Sequence, residues 1–267
     1  MPIHDGSDPR LRDYANLTDA QLRDADWTGG RGVFIAEGEL IVRRLVESRF
    51  PVRSLLVTRP GLERVTDLLP RLPDWAPVFV AEPAVLAEIV GFPFHRGILA
   101  CGQRLAPEPL AGLLDAARTL VLLEDLSNAD NVGAVFRNTG ALAADAAVVL
   151  SPGCCDPLYR KSLRVSMGLA LTVPFAKVQD WAGTLDQVVA AGFRLLALTP
   201  GPADRDVGDA GVGRGEKVAI LLGAEGPGLT DTAFQRASMR VRIPMAAGAD
   251  SLNVATAGAV ALALLRR

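Results

Sequence analysis

Residues Arg240 to Arg267 read RVRIPMAAGADSLNVATAGAVALALLRR. A short apolar strand, Val241 to Met245, runs into a loop of small residues. The loop delivers Ser251, Leu252 and Asn253 to the mouth of a helix with no further charge until Arg266. Polar groups placed there lie at the carboxyl ends of the strands, where open α/β sheets hold ligands. Two upstream stretches share this design. Leu126–Arg137 (LSNADNVGAVFR) follows an apolar strand; Asp130 or Asn131 can cap the helix, and Gly133 admits a close neighbour. Leu222–Leu229 (LGAEGPGL) follows another strand, with three glycines in the six residues from Gly223 to Gly228.

Each stretch alone also reads as ordinary structure: a capped helix with a solvated arginine, a tight turn, a polar helix start. Together, three strand ends in one half of the chain deliver Asn131 and Arg137, Glu225, and Ser251 with Asn253. The strands themselves are Leu120–Glu124, Ala146–Leu150, Leu195–Leu198, Val218–Leu222 and Val241–Ile243. Near-continuous Val, Ile and Leu runs of this kind mark parallel strands covered on both faces. The Rossmann pattern GxGxxG is not met, and neither is a P-loop, because Gly208 to Gly213 is followed by Arg214 rather than by Lys and Ser or Thr.

Upstream, residues 28–102 alternate shorter strands (Gly32–Ala36, Val52–Thr58, Pro77–Ala81, Gly97–Cys101) with helices (Glu37–Phe50, Leu62–Leu69, Pro83–Val90). Gln103–Pro109 (QRLAPEP) has the composition of a linker. Residues 1–27 read as an N-terminal arm, with a short helix over Leu17–Leu22 capped by Thr18. The division expected is an arm at 1–27, a small α/β domain at 28–102, a linker at 103–117 and the parallel-sheet domain at 118–267.

Composition narrows the function. Hydrophobic residues make up 49% of the chain, but the longest apolar run, Val254–Leu265, falls short of the roughly 20 residues that span a bilayer. The N-terminus is polar and acidic, unlike a secretory or transit signal, so the expected location is the cytoplasm, with no membrane partner. Three cysteines, Cys154 and Cys155 adjacent, make no disulfide framework, and His4 and His95 stand far apart. No metal is expected. The formal net charge of -2 does not announce a nucleic-acid partner. Residues 40–75 nevertheless hold Arg43, Arg44, Arg49, Arg53, Arg59, Arg64 and Arg71 against four acids. A second basic stretch, Tyr159–Arg164 (YRKSLR), reads either as a phosphate contact or as a solvated helix face.

NVGAVFR, LLGAEGPGL and IPM…SLNV, in that order and spacing, resemble the three motifs of the SpoU (TrmH-type) RNA 2′-O-ribose methyltransferases of the SPOUT superfamily. FIAEGELIVRRLVESRFPVRSLLV (Phe34–Val57) resembles the ribosomal-protein-like RNA-binding domain that many members carry. The resemblance implies an α/β fold with a C-terminal knotted parallel-sheet domain, S-adenosylmethionine bound in the knot, and a homodimer with the active site at its interface. By position, Gly223, Ile243 and Leu252, with Leu222 and Met245 beside them, match cofactor-contacting residues. Arg137, Asn131, Glu225, Ser251 and Asn253 match the functional polar positions, and the family assigns the proton to the arginine, here Arg137. The accessory domain favours ribosomal RNA as substrate, with transfer RNA second. GALAADA after the first motif departs from the usual pattern, and the acidic balance is unusual for an RNA binder. Two rival readings are a non-catalytic RNA-binding module on the same scaffold and a nucleotide-dependent enzyme using the Gly223–Gly228 loop.

Overall fold

The computed structural model describes residues 1–15, 32–90, 96–213 and 215–265. In chain order the first elements are β1 (Pro2–Ile3), β2 (Val33–Glu37), α1 (Glu39–Glu47), β3 (Val52–Val57), α2 (Arg59–Arg64), β4 (Val78–Ala81), α3 (Pro83–Val90) and β5 (Ile98–Gln103). There follow α4 (Leu110–Ala116), β6 (Thr119–Glu124), α5 (Ala129–Leu142), β7 (Ala146–Leu150), α6 (Arg160–Val165), β8 (Phe175–Lys177) and α7 (Trp181–Ala190). The last are β9 (Arg194–Leu198), β10 (Arg205–Asp206), β11 (Val218–Gly223), α8 (Asp231–Arg236), β12 (Met239–Arg242) and α9 (Val254–Leu265). They form two compact units, Met1–Ala106 with Leu158–Thr172, and Pro107–Pro157 with Val173–Arg267.

The first unit is a five-stranded sheet in the order β1-β4-β3-β5-β2, with β2 and β5 antiparallel. Every residue of β2 is buried, and α1 turns Ile41, Val42 and Leu45 inward while Arg43 stays outside, paired with Glu39 one turn back at 3.1 Å. Phe34 lies directly across from Gly102, and a Cβ on that glycine would come within 2.4 Å of the ring. The ring takes the place of the missing side chain and meets Phe50 edge-on at 5.4 Å.

The first residues are not an arm. Pro2–Ile3 pair with β4, and Leu11 and Tyr14 are buried in the unit's core, where the Tyr14 hydroxyl donates to the Ser54 carbonyl at 2.9 Å. The expected helix over Leu17–Leu22 lies outside the described residues. Leu158–Thr172, expected within the second domain, belongs to this unit instead. Its helix α6 buries Ser162 and Leu163 and brings Arg160 and Arg164 to within 3.8 and 3.9 Å of the buried carboxylate of Glu37, while Arg44 donates to the Met167 carbonyl.

The second unit is a seven-stranded sheet, β10-β12-β9-β11-β6-β7-β8, in which every pairing is parallel. The expected parallel sheet is therefore present. β6 and β7 are buried throughout, and Leu120, Leu122, Val149, Leu195 and Leu221 share one core with Leu185 and Val188 of α7. The edge strands β8 and β10 are three and two residues long, too short to stand out in sequence. β12 starts at Met239 and ends at Arg242, so Ile243 and Met245, expected in or at the end of that strand, lie beyond it. Among the described residues no helix is long and apolar enough to cross a membrane. α9 lies against α5, where the Asn138 amide donates to the Ala255 carbonyl at 2.8 Å.

Candidate active site at the carboxyl ends of the strands

β9, β11 and β12 run parallel and end together, and a cleft of about 590 Å3 opens where they stop. Leu222 and Gly223 at the end of β11, Ile243 and Met245 after β12, and Leu252 before α9 all line it. The five positions expected to contact a cofactor are thus brought into one wall. The volume lies within the range of small-molecule sites, and the lining is apolar with few polar groups, as such sites are.

Backbone geometry explains the glycines. After Gly223 the chain folds back so that the Gly228 amide donates to the Ala224 carbonyl at 3.0 Å. Gly226 and Gly228 adopt φ of +90° and +73°, a region that side chains disfavour. At Gly223 the reason is different: a Cβ would stand 2.4 Å from the Gly228 carbonyl carbon and 2.5 Å from the Leu229 nitrogen. Loop and strand therefore touch through backbone, and all the residues from Gly223 to Leu229 line the cleft.

The far end of this loop is held from below. Glu124, the last residue of β6, is buried and pairs in register with Gly223. Its carboxylate accepts from the Thr230 amide at 2.9 Å, the Thr230 hydroxyl at 2.9 Å and the Trp181 indole at 2.6 Å. Thr230 in turn caps α8 through Ala233. A buried carboxylate so supplied with donors is stable in place, and it fixes where the glycine loop ends.

At the cleft's rim Asn253 joins two other elements. Its amide donates to Asn131 Oδ1 and to Glu225 Oε1, both at 2.9 Å. Its own Oδ1 accepts from the Ala255 and Thr256 amides at 3.0 and 3.3 Å, capping α9. One side chain therefore starts a helix and ties the ends of three strands together. Asn131 is buried, whereas Glu225, Ser251 and Asn253 are exposed to the cleft. The cap of α5 is Asn128, which accepts from the Asp130 amide at 2.8 Å; neither Asp130 nor Asn131 serves. That shift leaves Asn131 in the first turn with its side chain directed at Asn253. The turn before Asn128 is set by Asp125, whose backbone takes φ of +56° while its carboxylate accepts from Ser151 at 2.7 Å.

Arg137 is not brought to this cluster. Six residues beyond Asn131 on α5, it lies about 9 Å further along the axis and two-thirds of a full turn around it. It is exposed, and it is absent from the cleft's lining. Of the five expected polar positions, four thus meet at the rim and one stands apart. Sequence reading missed Leu198 and Thr199 at the end of β9 and Phe234 of α8, which also line the cleft. The Thr-Pro-Gly run after Leu198 looks like an ordinary turn, and Phe234 like a core residue; only the β9–β11–β12 adjacency places them here.

An all-parallel sheet with a roomy, apolar cleft at its carboxyl ends and an Asn–Glu–Asn cluster on the rim defines an α/β protein built to hold an organic ligand beside a polar reaction centre. The SpoU rRNA Methylase family model matches residues 118–263, and the chain belongs to that family. It is 43% identical, over 97% of its length and 89% of the relative's, to an uncharacterized tRNA/rRNA methyltransferase of Mycobacterium tuberculosis (strain ATCC 25618 / H37Rv). It is 31% identical to the 23S rRNA (guanosine-2′-O-)-methyltransferase RlmB of Vibrio vulnificus (strain CMCP6), over 63% of this chain and 68% of that one. Among solved structures, the AdoMet-bound rRNA methyltransferase from Sinorhizobium meliloti shares the fold, with a TM-score of 0.82 at 24% identity over 100% of this chain and 97% of that one.

Proposed function

We propose that the chain is an S-adenosylmethionine-dependent methyltransferase that methylates a ribose 2′-hydroxyl in RNA, with ribosomal RNA the first substrate class to test and transfer RNA the second. The observation that carries this reading is Asn253, which binds Asn131 and Glu225 at the rim of the cleft that Gly223, Ile243 and Leu252 line. Family membership supports the chemistry, and the relatives' names support RNA as substrate.

The cleft fits the cofactor. Leu222, Ile243, Met245 and Leu252 provide apolar walls for an adenine, and the backbone around Gly223 provides groups for its polar edge. When bound, S-adenosylmethionine supplies a methyl group on a sulfonium, whose leaving group is a neutral thioether. The chain's own work is to align the ribose oxygen with that methyl and to manage one proton. Asn253 and Asn131 fix the position of Glu225 at the cleft mouth, and Ser251 offers a hydroxyl beside them. Arg137 serves as the cation for charge developing on the 2′-oxygen, because a guanidinium holds its proton too tightly to act as a base, and the hydroxyl proton leaves to water at the open mouth of the cleft.

A homodimer accounts for Arg137. On one chain it faces away from the cluster, so a second copy supplies it across an interface formed at the site. The late strand β12, lying between β10 and β9, and the return of α9 against α5 suit the trefoil knot that the family resemblance implies. The first unit is the RNA-binding part, and the reaction belongs in the cytoplasm.

The deciding experiment is transfer of labelled methyl from S-adenosylmethionine to total rRNA and, separately, total tRNA from cells lacking the protein. Label in one pool, lost with Arg137→Ala, establishes the reaction and the substrate class. Cofactor binding with no label in either pool refutes it for mature RNA and favours a binding module.

A further inference from the structure

On the first unit a groove of about 740 Å3 runs between the residues after β1, the start of β3 and the approach to β4. It includes Trp75, at 62% relative accessibility the most exposed large hydrophobic residue described. An indole this open presents a broad aromatic face on which a flat apolar group can stack. Three arginines, Arg10, Arg12 and Arg53, line the same groove against one acid, Asp13. With Asp8, which holds Arg10, counted as well, the local excess is one positive charge in a chain whose net charge is -2.

Each of these arginines has a carboxylate beside it, Arg12 Nε standing 3.8 Å from Asp13 Oδ1. The Arg10 guanidinium stands 5.9 Å over the Phe79 ring and is fixed by Asp8 through Nε at 2.9 Å. Arg53 donates to Gln103 Oε1 at 3.0 Å and lies 3.4 Å from the Asp13 carboxylate. Groups pinned this way lose little further freedom on binding, so they suit recognition better than mobile surface arginines.

We propose that this groove binds an unpaired segment of RNA, one base stacking on Trp75 while Arg10, Arg12 and Arg53 follow the adjacent phosphates. An open aromatic face beside cations is the arrangement by which proteins hold single-stranded nucleic acid: each base offers a π-face, and the backbone offers the charge. The arginine excess favours a polyanion over a proline-rich peptide, which would use the aromatic surface without needing the charge. The proposal rests on the reading of the chain as an RNA methyltransferase and adds where, on the first unit, the substrate is gripped.

The test uses the full chain and a short single-stranded RNA of mixed sequence, titrated at several salt concentrations against wild type, Trp75→Ala, Trp75→Phe and Arg12→Ala. Trp75→Ala should weaken binding about tenfold with the salt slope unchanged, and Trp75→Phe should keep most of the affinity. Arg12→Ala should instead lower the salt slope by up to about one. Tryptophan emission should be quenched by RNA in the wild type and less in Trp75→Phe. In methyl transfer to rRNA, Trp75→Ala should raise KM and leave kcat and S-adenosylmethionine affinity as they were. Wild-type affinity in Trp75→Ala, or quenching by a proline-rich peptide and not by RNA, overturns the groove. Absence of methyl transfer by the wild type overturns the functional reading instead, so the two failures are told apart.

Discussion

The Asn253 side-chain amide donates to Asn131 Oδ1 at 2.9 Å, joining residues 122 positions apart. The two sit at the starts of α9 and α5, the helices that pack together behind the cleft. The same amide reaches Glu225, so the alignment of the rim depends on one residue donating in two directions.

Asn253→Asp separates its two tasks. The carboxylate still accepts from the Ala255 and Thr256 amides and so still caps α9, but it can no longer donate, and it faces Glu225 with like charge. Thermal stability should change little, while kcat should fall about a hundredfold, the order expected from loss of alignment in an otherwise intact site. Parallel melting curves and single-turnover rates check this; equal losses in both would assign Asn253 a purely structural role.

Arg137→Ala should nearly abolish turnover and spare cofactor binding, because its exposed position on α5 lies outside the cleft. Mixing Arg137→Ala with Asn253→Asp chains tests the shared site directly. If each site draws Asn253 from one copy and Arg137 from the other, remixed dimers should regain about a quarter of wild-type activity: half are mixed, and one of their two sites is whole. No recovery in a verified mixture would place Arg137 and Asn253 in sites built from a single chain.

Gly223→Ala should weaken S-adenosylmethionine binding more than it harms the fold. The new methyl meets backbone of Gly228 and Leu229, which cannot swing aside as a side chain would. The loop must shift, at about 1–3 kcal/mol. Calorimetric titration with the cofactor, alongside denaturant unfolding, reads both effects. Unchanged affinity would mean that the loop does not touch the cofactor.

Tyr14 gives the first unit a dependence on alkaline pH. Burial pushes its phenol well above the ordinary value of 10.0. The folded chain therefore keeps the proton where the unfolded chain releases it, so stability is full below 10 and falls as pH rises towards the folded value. Urea midpoints measured from neutral to strongly alkaline pH should decline on that side, and Tyr14→Phe should flatten the decline. It should also lower stability at neutral pH by about 1 kcal/mol through loss of the bond to Ser54. An equal alkaline decline in both proteins would assign the effect to other groups.

Legibility followed the physics of each segment. β6, β7 and β11 announce themselves because strands buried on both faces must be apolar throughout, and nothing but their own residues is needed to see it. Gly223, Gly226 and Gly228 mark a tight loop for the same local reason. β8 and β10 were hidden because two or three residues at a sheet edge carry no periodicity. β1 and Tyr14 were hidden because a polar N-terminal stretch with isolated apolar residues looks solvated until β4 supplies a partner. The cap of α5 was misplaced by two or three residues because Asn128, Asp130 and Asn131 share the chemistry of capping.

By itself the sequence determined that strand ends in its second half carry Asn131, Glu225, Ser251 and Asn253, since strand, loop and helix starts are written in local pattern. Only the tertiary structure decided which of these touch. Parallel pairing of β9, β11 and β12 brings ends separated by dozens of residues to one edge, and the hydrogen bonds of Asn253 then follow from distance. The same packing turned Arg137 outward and carried Leu158–Thr172 to the other unit. Helical phase and burial against a distant partner decide such placements, and neither is a property of the segment alone.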